Sequence, residues 1–91
     1  MQRIAFINHV VGVEQDGLAF VAMVDGEDVV CVVSRDALQD HFAVREIDGA
    51  SAIGMFDAKR RRIEAVAKKK IIDGAFEPDG MVMLRSADFW I

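Results

Sequence analysis

The dipeptide Asp25-Gly26 sits between two runs of apolar, β-favouring residues, 18–24 and 28–33. No other feature of the chain constrains its fold as tightly. Asp-Gly between such runs marks a hairpin, because glycine accepts the positive φ that a tight turn needs. A short turn sets the register, and the register decides which side chains share a face. Leu18, Phe20, Ala22 and Val24 point one way; Ala19, Val21 and Met23 point the other. In the partner strand, Val29, Cys31 and Val33 oppose Val30 and Val32. Both faces are apolar, so both need a cover.

Helices downstream supply one cover. Ser34 stops the second strand and offers its hydroxyl to the first turn of a helix, with Asp36 suited to the positive end of the dipole. This helix is expected over 35–42, with Leu38, His41 and Phe42 inward. A second helix is expected over 50–73, capped by Asp48 and stopped by Gly74. Its seam is Ala52, Met55, Phe56, Ile63, Val66 and Ala67, at helical spacing. Residues 3–7 read as a strand with Ile4 and Phe6 on one face. Val10 to Val13, broken by Gly12, reads as a loop or a strand fragment. Asp16-Gly17 and Glu77-Pro78-Asp79-Gly80 are turns, and 81–85 is a last strand. The expected order is β-β-β-α-α-β: one α+β domain, 1–91, with an antiparallel sheet of about four strands and two helices. Phe20, Ala22, Leu38, Phe42, Phe56, Ile63, Val66 and Ala67 are the expected core.

The second face is the open question. The connector 43–49 is short, which favours both helices on one side of the sheet. Val21, Met23, Val30, Val32, Met81 and Met83, together with Ala19, are then left to be covered. Phe89, Trp90 and Ile91 supply part of a cover at most; with Met81 and Met83 they either close the core or form an interface. The composition points the same way. Hydrophobic residues make up 53% of the chain, and with the seven glycines the apolar set is 55 of 91 residues, against roughly 45–50% in ordinary soluble domains. A homodimer burying at least about 1,000 Å² is the expected solution.

Charge is distributed unevenly. Net charge is −4, which does not draw the whole molecule to nucleic acid or to an anionic membrane. Yet residues 59–70, KRRRIEAVAKKK, hold seven of the eleven basic residues. At 100° per residue, Arg61 and Lys68 share one sector, Arg62 and Lys69 another, and Lys59 and Lys70 border the seam. Asp57 with Arg61, Arg60 with Glu64, and Glu64 with Lys68 are spaced for pairing. Arg62 and Lys69 are left as an unpaired edge, so exchanging both for glutamate is expected to leave folding intact. The four residues Arg62, Lys69, Arg61 and Lys68 are therefore candidate contacts for an anion or for nucleic acid. The alternative is a solvated face matched to the helix dipole. No aromatic residue is interleaved to stack on a base. Lys59 and Lys70 are expected to lay their stems on apolar surface and their ammonium groups in water.

Chemistry-bearing residues are scattered. His9 and His41 lie in unrelated elements without metal-ligand spacing, and Asp40 beside His41 points to another helix face. Cys31 reads as a small buried hydrophobe. Ser34 and Ser51 belong to helix starts, and no Gly-x-Ser-x-Gly surrounds either. No glycine-rich phosphate loop is present. No catalytic residue, metal or cofactor is therefore expected. One cysteine, no signal-peptide layout and no apolar run near ~20 residues suggest a soluble cytoplasmic protein.

Three segments carry a resemblance: the hairpin and capped helix FVAMVDGEDVVCVVS–SRDALQDHF, the pattern Phe56-x6-Ile63-Glu64-x2-Ala67, and the ending IIDGAFEPDGMVMLR. Together they resemble the domain of unknown function family 1488, small uncharacterised proteobacterial proteins. The match spans roughly 18–85. It implies a bacterial, stand-alone small domain, with no active-site residues to carry over. The functional expectation is a non-enzymatic protein-interaction module, with nucleic-acid binding through 59–70 as the alternative.

Overall fold

Asp25 and Gly26 both take positive φ, 52° and 87°, and Val24 pairs directly with Glu27 across them. This is the two-residue turn whose twist matches that of its strands. The computed structural model describes residues 2–7, 12–14, 17–43 and 49–90. Expectations for His9, Val10, Asp16, the 44–48 connector with its Asp48 cap, and Ile91 lie outside the described residues.

Strand β1 is Ile4–Phe6, β2 Gly12–Glu14, β3 Gly17–Val24 and β4 Glu27–Ser34; helices α1, Arg35–Phe42, and α2, Gly49–Ile72, follow. Strand β5, Val82–Leu84, and a 3-10 turn, Ser86–Phe89, complete the order. Strand β3 pairs with β4 along its whole length, from Gly17↔Ser34 to Val24↔Glu27. Its other edge is shared: β1 takes the half near Val24 and β2 the half near Gly17. The Val10 to Val13 stretch thus contributes a short strand through Gly12 and Val13.

The α+β architecture with two helices is as expected, but the sheet is mixed. Strand β5 joins β4 in parallel, with Cys31↔Val82, Val32↔Met83 and Val33↔Leu84. Parallel neighbours need a crossover of a dozen or more residues. The two helices form that crossover. At 1.5 Å per residue, the 24-residue α2 is roughly 36 Å long, enough to return the chain to the end of the sheet where β4 began.

Local signals hold at the helix ends. Ser34 Oγ accepts from the Ala37 N–H at 3.2 Å. Gly74 takes φ 70°, and the Ala75 N–H reaches back to the Lys70 carbonyl at 2.9 Å. Between those ends α2 is not continuous. Lys59 leaves helical φ/ψ, at −113° and 16°. The kink falls where the seam is interrupted, between Phe56 and Ile63.

Both helices pack on one face of the sheet. Leu18, Phe20, Ala22, Cys31, Val33, Val82 and Leu84 join Leu38, Ala52, Phe56, Ile63, Val66, Ala67 and Ile71 in one core. All the expected core residues are buried except Phe42, which is half-buried and packs against the rest. Val21 and Val32 are not in this core, although only 8% and 9% of each is exposed. The register puts them on the outer face, where both are nonetheless buried. Met23 and Val30, on the same face, remain 40% and 39% exposed.

The tail does not cover that face. Phe89 is buried in the helix-side core, with its ring 5.3 Å from Phe42. Trp90 is 75% exposed and meets the His41 ring edge-on at 4.6 Å.

Candidate functional site

The basic segment of α2 is largely committed to the protein's own structure. Arg60 donates to Glu64 at 2.9 Å and to the Ile7 carbonyl at 3.1 Å, and its guanidinium lies 5.6 Å from the Phe56 ring centre. It ties the kink to the end of β1. Lys70 donates to the Met83 carbonyl at 2.6 Å and to Asp88 at 2.9 Å. It reaches the edge strand and the 3-10 turn instead of water, contrary to expectation. Glu64 is drawn back to Arg60, and neither the Asp57–Arg61 nor the Glu64–Lys68 pair forms among the described residues.

Arg62 and Lys69 are not an unpaired edge. Arg62 donates to the Phe89 carbonyl at 3.3 Å and lies 5.4 Å and 5.6 Å from the Phe42 and Phe89 ring centres. A cation over two rings contributes stability as well as charge. Reversing it to glutamate removes those contacts, so the double exchange is no longer expected to be neutral for folding. Lys69 pairs with Asp73 at 2.9 Å, four residues on. That hydrogen bond, and the charge behind it, hold Lys69 above its ordinary pKa. The sequence did contain this spacing; the Arg62 contacts depend on tertiary packing. Among the described basic residues of 59–70, Lys59, Arg61 and Lys68 remain without such partners.

Asp88 organises the turn after β5. Burial works against its charge, but the Arg85 N–H at 2.8 Å and the Lys70 ammonium outweigh it and hold the carboxyl below its ordinary pKa. A depressed carboxylate adds stability above its unfolded pKa, near 3.9 for aspartate, and loses it as pH falls through the folded value. Asp88→Asn should therefore melt below the unmodified protein at pH 7. The gap should close as pH falls below about 4. A gap that stays constant from pH 7 to 2 would contradict this arrangement.

One constellation escaped sequence reasoning. Ser86 Oγ donates to Asp40 at 2.6 Å and lies 3.2 Å from His41 Nε2. Serine, histidine and aspartate meet here, but not in catalytic order. His41 Nε2 is nearest the Ser86 carbonyl, at 2.8 Å. A carbonyl only accepts, so Nε2 carries the proton and has no lone pair for the hydroxyl. The carboxylate binds the hydroxyl directly instead of orienting the base, as an activated nucleophile would need. The cluster clamps α1 to the 3-10 turn.

Cys31 is buried, and burial pushes its thiol up to about 11, against a smaller opposing effect of the Ala22 backbone. Such a thiol is a poor nucleophile. Among the described residues, no three His, Cys, Asp or Glu side chains are placed to hold a metal ion. No described helix is long and apolar enough to cross a membrane. What remains distinctive is the outer face of the sheet. Val21, Val32, Met23 and Val30 lie on it, with Met83 at the β5 side, while Met81 precedes the strand.

The family model described as Protein of unknown function (DUF1488) matches residues 4–84. The chain belongs to the DUF1488 family. It is similar to a solved structure of a protein of unknown function from the DUF1488 family of Shewanella loihica PV-4, at 27% identity and a TM-score of 0.76. The similarity covers 90% of this chain and 92% of that one. No curated protein matches the chain. The DUF1488 match begins at Ile4, so β1 and β2 belong to it as well as the hairpin and helices that carried the resemblance. It stops at Leu84, so the partners of Arg62 and His41 in the last turn lie beyond the matched span.

Proposed function

We propose that this DUF1488 protein is a cytoplasmic, non-enzymatic interaction module that works through the outer face of its sheet. The carrying observation is a central sheet with both helices on one side. Its other side leaves Met23 and Val30 exposed, beside Val21 and Val32, which are buried. Monomeric proteins seldom leave contiguous apolar patches uncovered, and such patches mark contact sites. The lone buried Cys31 suits a reducing compartment.

Nucleic-acid binding through α2 is less well supported. Arg60, Arg62, Lys69 and Lys70 already serve intramolecular contacts, leaving Lys59, Arg61 and Lys68 to meet phosphate.

The test is a double variant, Met23→Glu with Val30→Glu. Both side chains are already partly in water, so the fold should survive. In extract from cells making the protein at its natural level, the unmodified chain should elute in an assembly larger than its own 10.1 kDa, and the variant should elute alone. An unmodified chain that elutes alone would refute the reading. Salt-sensitive retention on heparin, unaffected by the variant, would favour α2 instead.

A further inference from the structure

The kink in α2 builds a hollow that a straight helix cannot. Successive side chains of an α-helix turn by about 100°, so six in a row encircle the axis. Yet Asp57, Ala58, Lys59, Arg60, Arg61 and Arg62 all line one open cavity of about 500 Å³. Lys59, at φ −113° and ψ 16°, is where the helix breaks and lets its two arms fold around that space.

The charge of this cavity is not balanced. Four of the lining residues are cations, against the single acid Asp57. Glu64 pairs with Arg60, so two positive charges are left beyond the two acids. Two of the cations are fixed. Arg60 is tied to the end of β1 through the Ile7 carbonyl, and Arg62 to the last turn through the Phe89 carbonyl. A guanidinium has five N–H donors; two are used on Arg60 and one on Arg62. The other two cations are free to move. Lys59 and Arg61 are exposed and enter no ion pair among the described residues.

We propose that this cavity binds a sugar phosphate, a small polyhydroxy phosphate monoester. Its phosphoryl group carries about −1.5 to −2 at pH 7, which offsets the two spare positive charges. A lone carboxylate would leave one of them over. Arginine forks match phosphate oxygens in pairs, so Arg61, with Lys59, closes on the group over the fixed Arg60 and Arg62. The rest of the ligand follows from the rest of the lining. Small-molecule sites span about 300–1,000 Å³, so the hollow takes more than a phosphate ion. Among the described residues no aromatic ring lines it, so a nucleobase would find nothing to stack on. The Asp57 carboxylate, in no ion pair among the described residues, accepts from hydroxyls. This site goes beyond the interaction-module reading and does not depend on it.

The test is a magnetic-resonance titration of isotope-labelled protein with glucose 6-phosphate, in buffer free of phosphate. Amide signals of 57–62 should move and saturate with a Kd of about 1 mM, as suits a ligand of this size. Inorganic phosphate should bind at least about threefold more weakly, having no hydroxyls for Asp57. Arg61→Ala and Lys59→Ala should each weaken glucose 6-phosphate about tenfold. Arg61→Lys should lose less, since it keeps the charge and gives up only the fork. Both alanine exchanges remove exposed side chains, so the fold should survive. If Lys59→Ala disturbs the kink and lowers the melt, Arg61→Ala decides.

No movement at about 20 mM ligand, or movement only outside 57–62, overturns the proposal. So does binding that neither alanine exchange weakens. Equal affinity for inorganic phosphate would show that the hydroxyls make no contact, and would overturn the sugar phosphate as ligand. A single-stranded oligonucleotide that moves the same signals while glucose 6-phosphate does not would assign the cavity to nucleic acid instead.

Discussion

Replacing Gly17 with alanine should lower stability by about 3 kcal/mol or more, among the largest effects of a single substitution. Gly17 opens β3 opposite Ser34, with φ at 151°. Side chains rarely adopt this backbone region. Space forbids one as well: a Cβ there would lie 2.0 Å from the Val33 carbonyl oxygen and 3.1 Å from a Val32 methyl. The first of these is backbone of the paired strand, which cannot swing aside without breaking the ladder where β4 passes into α1. In a domain of this size each kcal/mol moves Tm by roughly 4–8 °C, so the melt should fall by more than about 12 °C. Gly26 sets the contrast. It also has positive φ, 87°, but nothing lies within 4 Å of the place its Cβ would take. Gly26→Ala should therefore cost less, through backbone strain alone. Equal losses at both sites would mean that the close approach at Gly17 is not real.

Phe20→Ala should cost about 3–5 kcal/mol, the usual range for emptying an aromatic core site. Phe20 is fully buried. Its ring lies 6.2 Å from Phe6 and 5.2 Å from Phe56, both tilted. It is the contact through which β1, β3 and α2 share one core. Truncation removes two aromatic contacts and leaves a cavity that rigid strands cannot close. Val30→Ala, on the outer face of the neighbouring strand, is the control. It is 39% exposed, so the loss should be under about 1 kcal/mol. Urea midpoints should separate the two variants clearly. A Phe20→Ala loss below that of Val30→Ala would reverse the assignment of inner and outer faces.

That assignment was already present in the residues 18–33. Alternation at period two and an Asp-Gly turn leave one register, and the register sorts Phe20 from Val21 and Cys31 from Val32. The Ser34 cap and the Gly74 stop were legible for the same reason: each acts within a few residues through the backbone. The resemblance to the DUF1488 family was carried by such short patterns too, and the family-model match over 4–84 showed the membership.

Four features needed the folded chain. Strand β5 runs parallel to β4, because its direction depends on how far α1 and α2 carry the chain. Phe89 enters the core instead of the outer face. Arg62 is absorbed by Phe42 and Phe89, although no acidic or aromatic residue stands three or four positions from it in the helix. Asp40, His41 and Ser86 meet across 45 to 46 residues of sequence. Lys69 teaches a different lesson, since Asp73 stood four residues away throughout.

The sequence alone determined that this chain makes a hairpin with two apolar faces and helices enough to cover one. Its local hydrogen bonds and side-chain periodicity act at short range, where no other part of the chain can alter them. Only the tertiary structure decided which face the helices took and which cations were tied into the protein's own contacts. Those outcomes depend on contacts between segments whose relative placement no local rule encodes.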